Sequence, residues 1–388
     1  MMNKVAGRAL PSLTSLRIIA ASLVFFGHGA VLQIFADPDV NQSMFHLSRN
    51  ASPVGLSYFF VLSGFILVWS HRPEDTSGQF WRRRLLRIFP NHVLVYAAIL
   101  LMIVAAGGRL ATTDALASLF LVQSWLPHPT LWQNAVNIPT WSLSVELLLY
   151  LAFPLTLALV NRIPKRYLWW AAALIAGVAI AMPFIVNEYW PYQSQSVTTE
   201  AAIQQWLLYA SPVARLFEFL VGMLMARILI TGQWPRIRPI VAVALVIGVY
   251  VATLEIELMG GYQSLLLIPL ALLVTAYAAA DLAGRSRLLT RPWLVRTGEL
   301  TYAFYLVHFT VLVAVHAAYS GQTWVGYLYD ARQFTIPGGI LFLVGAFLLS
   351  LFVAGVLYTF VEQPVMRRWA HPNNDHTASR PPVVEGAG

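Results

Sequence analysis

Ten long apolar runs separated by short polar or basic segments make up most of the chain: residues 11–36, 52–70, 80–106, 138–160, 168–186, 206–230, 239–256, 262–280, 300–319 and 337–360. Each is close to the roughly 20 residues a helix needs to cross hydrocarbon, so the pattern predicts an all-α polytopic membrane protein of about ten spans. The apolar stretch 114–125 is too short to cross and is expected to stay on one side. Residues 37–50 read as a polar loop, and 370–388, polar and Pro-rich without a period, as a disordered tail. Between a short N-terminal segment, 1–9, and that tail lies one membrane unit, 10–369.

Charge orients these runs. Basic residues collect between alternate pairs of spans: Arg82, Arg83, Arg84 and Arg87; then Arg162, Lys165 and Arg166; Arg236 and Arg238; Arg285, Arg287, Arg291 and Arg296; and Arg367 and Arg368. The positive-inside rule puts all of them in the cytoplasm, and with ten spans both termini lie there too. Composition agrees, with 58% hydrophobic and 11% charged residues. In a soluble protein a net charge of +8 would suggest nucleic acid, but here it sits in inter-span loops and no nucleic-acid partner is expected. The chain has no cysteine, which excludes thiolate nucleophiles and cysteine metal sites. Asn187, Tyr189, Trp190, Tyr192, Gln193 and Gln195 of an outer loop suit either a polyhydroxylated ligand or an interfacial aromatic belt.

Polar residues inside spans are costly and ask for a reason. Arg17 and His28 lie eleven residues apart in the first run. That spacing leaves them roughly 20° apart around a helix and about 16 Å apart along it. His28 lies eight residues before the outer end of its run, and Glu146 eight residues after the outer end of the fourth. Both fall about 12 Å deep and could touch, as a base and its orienting carboxylate or as a structural pair. Ser142 shares a face with Glu146, but no Gly-x-Ser-x-Gly elbow surrounds it or Ser144. The Arg82 to Arg87 cluster is either a topogenic lipid anchor or a phosphate site, with Arg84 and Arg87 on one face. A phosphorylated cytosolic molecule such as coenzyme A would suit the second reading. Glu299, Tyr302, Tyr305 and His308 form a stripe at spacings of three, Arg215 and Glu218 an i, i+3 ion pair, and Glu362 a local bridge to Arg367 or Arg368. There is no His-Glu-x-x-His, Walker or Gly-x-Gly-x-x-Gly motif, and no metal site is expected.

Several ordered motifs resemble the acyltransferase 3 family, integral membrane O-acyltransferases of bacterial polysaccharides and glycosylated natural products. They are Leu16-Arg17 through His28, Tyr58-Phe59-Phe60-Val61-Leu62-Ser63-Gly64-Phe65, Arg84-Leu85-Leu86-Arg87-Ile88-Phe89-Pro90, Trp141-Ser142-Leu143-Ser144-Val145-Glu146 running to Tyr150, Tyr302 to His308, and Glu362-Gln363-Pro364. The resemblance implies a catalytic His28 supported by Glu146, and an acyl-CoA donor, such as acetyl-CoA, bound by Arg84 and Arg87 with Arg83 and Arg17 beside them. It further implies a carbohydrate or glycoside acceptor and a multi-pass place in the bacterial cytoplasmic membrane; Ser142, Ser144, Tyr302, Tyr305 and His308 are the candidate substrate or oxyanion groups, and no metal is expected. Leu147 stands where many members have a second acid, and Asn91-His92 where many have an aromatic. With Val122-Gln123-Ser124-Trp125, these departures are similar to the actinobacterial branch that includes macrolide O-acyltransferases. A glycolipid transporter or flippase is the rival, since intramembrane charges also suit a transport path.

Overall fold

The computed structural model describes residues 7–128, 131, 133, 135–190, 199–256, 261–321 and 332–369. The expected tail and the outer-loop residues Tyr192, Gln193 and Gln195 lie outside the described residues. In chain order the helices are α1 (Pro11–Val31), α2 (Pro38–Ser48), α3 (Ala51–Trp69), α4 (Ser77–Ala105), α5 (Thr112–Leu119), α6 (Trp141–Arg162), α7 (Leu168–Tyr189) and α8 (Thr199–Gln205). They continue with α9 (Pro212–Ile230), α10 (Pro239–Ala252), α11 (Gly261–Leu282), α12 (Pro292–Glu299), α13 (Thr301–Ser320), α14 (Ile336–Leu357) and α15 (Gln363–Trp369).

Local chemistry sets the starts. Proline in the first turn opens α1, α2, α9, α10, α12 and α14, where its missing N–H costs nothing. Thr76 and Gln79 form a capping box at the head of α4. Residues 37–50, read from sequence as a loop, are instead mostly helix α2. The Asp37 side chain caps the N–H groups of Asp39 and Val40, and Pro38 follows it at N1. The run 206–230 splits at Ser211, whose hydroxyl accepts from the Ala214 N–H at 3.2 Å while Pro212 begins α9.

Helices occupy all ten apolar runs, making an all-α polytopic membrane protein. Eight helical stretches among the described residues are long and apolar enough to span, rather than the ten expected. The other two runs explain themselves. Helix α9 carries Arg215, Glu218 and Arg227, and α10 has 14 residues, about 21 Å against hydrocarbon of roughly 30 Å. Residues 112–119 form only the short α5, in line with a segment that does not cross.

The basic segments converge at one end of the bundle. The Trp69 indole donates to the Arg8 carbonyl (2.9 Å), Ser12 to the Asp281 carboxylate, Arg227 to the Ile163 carbonyl (3.0 Å) and Gln233 to the Lys165 carbonyl (2.9 Å). At the opposite end Phe334 pairs with the chain just after α1, and Tyr250 donates to the Leu47 carbonyl at 2.6 Å. Charge asymmetry read from the sequence thus has a counterpart in space.

Helix α9 lies inside, packed on α3, α6, α7 and α11. A Cβ built at Gly64 of α3 would collide with the Phe219 carbonyl, and one at Gly222 of α9 with the Val61 carbonyl. Only glycine lets the two backbones approach this closely, which is how membrane helices gain packing without a hydrophobic drive.

Candidate active site

A cavity of about 140 Å³ opens among α1, α3, α4, α6 and α13. Arg17, Arg84 and Arg87 line it, with Glu146, Glu299, Ser142, Tyr302 and Tyr305. The Arg motif reaches it by helical geometry: Arg84 and Arg87, three residues apart, share a face of α4, whereas Arg83 points about 100° away. Arg83 accordingly leaves the cavity and pairs with Asp75.

Charge in this cavity is unbalanced. Among the described residues three ion pairs form, His46 with Glu255, Arg83 with Asp75 and Arg215 with Glu218, and none involves Arg17, Arg84 or Arg87. The Arg84 guanidinium lies over the Phe80 and Tyr150 rings at 5.4 and 5.6 Å, and its buried Nε has no partner. Glu146 spends its Oε1 on the hydroxyls of Ser63 (3.1 Å) and Tyr150. An arginine left unpaired where water is scarce is matched to an anion that enters from outside. A second cavity, about 330 Å³ and lined by His71, Arg72 and Arg83, adjoins the first, and Arg84 lines both.

His28 lies one layer away. Its Nδ1 is 2.8 Å from the His308 Nε2, with the two rings nearly parallel at 6°. The His308 Nδ1 is 2.8 Å from the Tyr305 carbonyl, which can only accept. In neutral imidazoles the proton positions then follow: His308 carries its hydrogen on Nδ1, its Nε2 accepts from His28 Nδ1–H, and His28 Nε2 keeps a free lone pair. The Tyr305 hydroxyl donates to the Pro139 carbonyl (2.8 Å) and lies 2.7 Å from the Ser142 hydroxyl, so the residue whose carbonyl holds His308 is also part of the cavity wall.

The structure therefore brings Arg17, Arg84, Arg87, Glu146, Ser142, Tyr302 and Tyr305 to one cavity, and joins His308 and His28 to it through Tyr305. The contact of His28 with Glu146 that equal depth suggests is not made. Depth along two helices fixes height but not the direction each face points, and α1 turns His28 toward α13. Ser144 also points elsewhere: its Oγ accepts from the Ser124 N–H at 3.1 Å and anchors the segment after α5 to α6. Tyr302 donates to the Ile88 carbonyl at 2.6 Å. Glu362 makes no bridge to Arg367 or Arg368. The π-helical turn Tyr358–Glu362 swings it inward, where it accepts from the Asn91 amide at 3.1 Å. Ser63 and Tyr150 were not singled out by spacing as partners of Glu146, although Tyr150, one helical turn along at i+4, was open to that reading.

Comparison with known proteins bears on this site. The acyltransferase domain family matches residues 10–359. "Acyltransferase MdmB" of Streptomyces mycarofaciens is 38% identical over 383 residues, covering 97% of this chain and 96% of that protein. "Nodulation protein 10" of Rhizobium leguminosarum bv. viciae is 27% identical over 380 residues, 91% and 92% of the two chains. "O-acetyltransferase OatA" of Staphylococcus aureus is 22% identical over 357 residues, 81% of this chain and 53% of its own length. No solved structure matches the chain. A family match that spans every cavity-lining helix, and a relative aligned almost end to end, establish that the chain belongs to the acyltransferase 3 family of membrane acyltransferases.

Proposed function

We propose that the protein moves an acyl group, acetyl foremost, from cytosolic acyl-CoA to a sugar hydroxyl of an envelope polysaccharide, a glycolipid or a glycosylated natural product, in the bacterial cytoplasmic membrane, with His28 as general base. The observation that carries the reading is the pair of adjoining cavities that share Arg84, with Arg17, Arg84 and Arg87 lacking a carboxylate partner among the described residues. The inner one holds about 140 Å³, too little for a nucleotide but enough for an acyl thioester. The outer one offers His71 and Arg72 to the phosphates, its Arg83 being paired with Asp75, and Arg84 sits where the donor's chain passes between them. The acetyl group and the oxygen acceptor draw support from the name of the staphylococcal relative.

The reaction follows from these groups. The acceptor hydroxyl gives its proton to His28 Nε2, which the His308 contact leaves bare, as its oxygen attacks the thioester carbonyl. The carbon–sulfur bond breaks and the coenzyme A thiolate leaves, taking the proton from His28. Arg17, whose guanidinium has no carboxylate partner among the described residues, is the donor offered to a developing oxyanion in the inner cavity, since the Tyr302 and Tyr305 hydroxyls already donate to the Ile88 and Pro139 carbonyls. Coenzyme A release by the purified protein in lipid, with acetyl-CoA and a panel of glycoside acceptors, tests the reading. If no acceptor elicits release, or His28→Ala releases coenzyme A as fast as wild type, the assignment is wrong.

A further inference from the structure

The largest cavity described, about 680 Å³, lies apart from the site above, at the arginine-rich end of the bundle. It is formed by the segment between α9 and α10 and the segment between α11 and α12. Arg236, Arg238, Arg285 and Arg287 line it and are exposed. None of them takes part in an ion pair among the described residues. The nearest acid along the chain, Asp281, is occupied, since its carboxylate accepts from both the N–H and the hydroxyl of Ser12. Four like charges around one opening repel each other and are left without an internal counterion.

Two buried donors line the same cavity without a partner. Trp234 and Ser286 are each 9% exposed, and the Trp234 indole N–H and the Ser286 hydroxyl have no hydrogen bond. Burying such groups unpaired costs about 1–3 kcal/mol each, a cost that an acceptor filling the cavity would remove. Four cations and two neutral donors, with no carboxylate among the lining residues, call for an anion rich in oxygen acceptors.

The wall beside the arginines is apolar and exposed on the outside of the helical bundle. Ile240 lines the cavity at 65% exposure, and Ala244, Ile247 and Val251 continue the same exposed stripe one turn at a time along α10. A soluble phosphate has no use for this track, whereas a lipid has both parts: a phosphate for the arginines and acyl chains for the stripe. We infer that this cavity binds the headgroup of an anionic phospholipid, held by Arg236, Arg238, Arg285 and Arg287 and hydrogen-bonded by Trp234 and Ser286, with the lipid chains along α10.

The test is native mass spectrometry of the full-length protein released from nanodiscs containing equal amounts of phosphatidylglycerol and phosphatidylcholine. Wild type is expected to retain phosphatidylglycerol selectively, and replacing the four arginines by glutamine to weaken retention about fivefold for each charge lost. Trp234→Phe with Ser286→Ala keeps all charges and is expected to weaken it about tenfold, as loss of hydrogen bonds to a charged group does. This second variant serves if the arginine variant fails to fold. Arg367→Gln with Arg368→Gln, basic but on α15, which packs against α4 away from this cavity, is expected to change nothing. Equal retention of the two lipids, or equal loss in the Arg367 and Arg368 control, overturns the site. Heat stabilisation by inorganic phosphate in pure phosphatidylcholine nanodiscs, with no further gain from phosphatidylglycerol, overturns the lipid in favour of a soluble phosphate.

Discussion

Two sets of arginines lie within the helical bundle and are treated in opposite ways. In α9, Arg215 is 1% exposed and every part of its guanidinium is used. Its Nη1 donates to Glu218 (2.8 Å), its Nη2 to Gln263 (3.0 Å) and the Tyr209 carbonyl (2.6 Å), and its Nε to that same carbonyl (2.8 Å), between the rings of Phe60, Trp141 and Tyr209. Ser57 adds a bond to Glu218 from α3. Around the inner cavity, Arg17, Arg84 and Arg87 form no ion pair among the described residues, and one oxygen of Glu146, Oε1, accepts from the Ser63 and Tyr150 hydroxyls. A closed charge cluster is already neutral and ties helices together. An open one gains most of its stabilisation from whatever enters, which is the mark of a binding site.

The sharpest way to separate the two is to remove one group from each. His28→Ala, at the far end of the open site, is expected to slow acyl transfer by about 10²- to 10⁴-fold while leaving donor binding intact, as measured by coenzyme A release and by calorimetry with acetyl-CoA. Arg215→Met strands Glu218 in the interior and is expected to destabilise the fold by about 3–5 kcal/mol, seen as a lower melting temperature. Turnover per folded molecule should stay as in wild type, and Glu218→Gln added to it should recover part of the stability. An activity loss beyond the folded fraction would break the contrast. Arg84→Gln has the opposite signature: donor KM rises about tenfold to a hundredfold, the worth of hydrogen bonds to a charged phosphate, with melting unchanged.

Smaller effects refine the open site. His308→Phe removes the acceptor that holds the His28 proton on Nδ1, and kcat is expected to fall about tenfold at constant KM. ¹⁵N chemical shifts of the His28 ring, which differ between tautomers, distinguish this loss from simple loosening. Ser144→Ala deletes a bond that anchors a loop and is expected to cost about 1 kcal/mol of stability and no activity. A large kinetic effect there would return Ser144 to the catalytic groups.

Much of this was legible along the chain. Run lengths announced the membrane helices, and the i, i+3 spacing of Arg215 and Glu218 announced their ion pair, because both depend on neighbours within one helix. The stripe of Tyr302, Tyr305 and His308 was legible for the same reason. What each residue meets across helices was not. His28 and Glu146 are level, but height does not set rotation, so His28 meets His308 and Glu146 meets Ser63 and Tyr150. The bridge from Glu362 to Arg367 or Arg368 fails because a π-helical turn rotates the carboxylate away from the arginines that follow, and nothing in 358–362 signals the extra residue in that turn. Asp37-Pro38 did carry the cap and N1 signals of α2, masked by the polar composition after it.

By itself, then, the sequence determined the class of protein, its long apolar helices, the segments in which its charges gather and the family to which it belongs, since these follow from hydropathy, local hydrogen bonding and ordered motifs. Only the tertiary structure decided which arginines are neutralised and which stay open, that Arg84 joins two cavities, and that His28 leans on a second histidine. Those outcomes depend on how helices rotate and approach one another, and that is set by packing, such as the Gly64 and Gly222 seam, which residue spacing within a single helix does not encode.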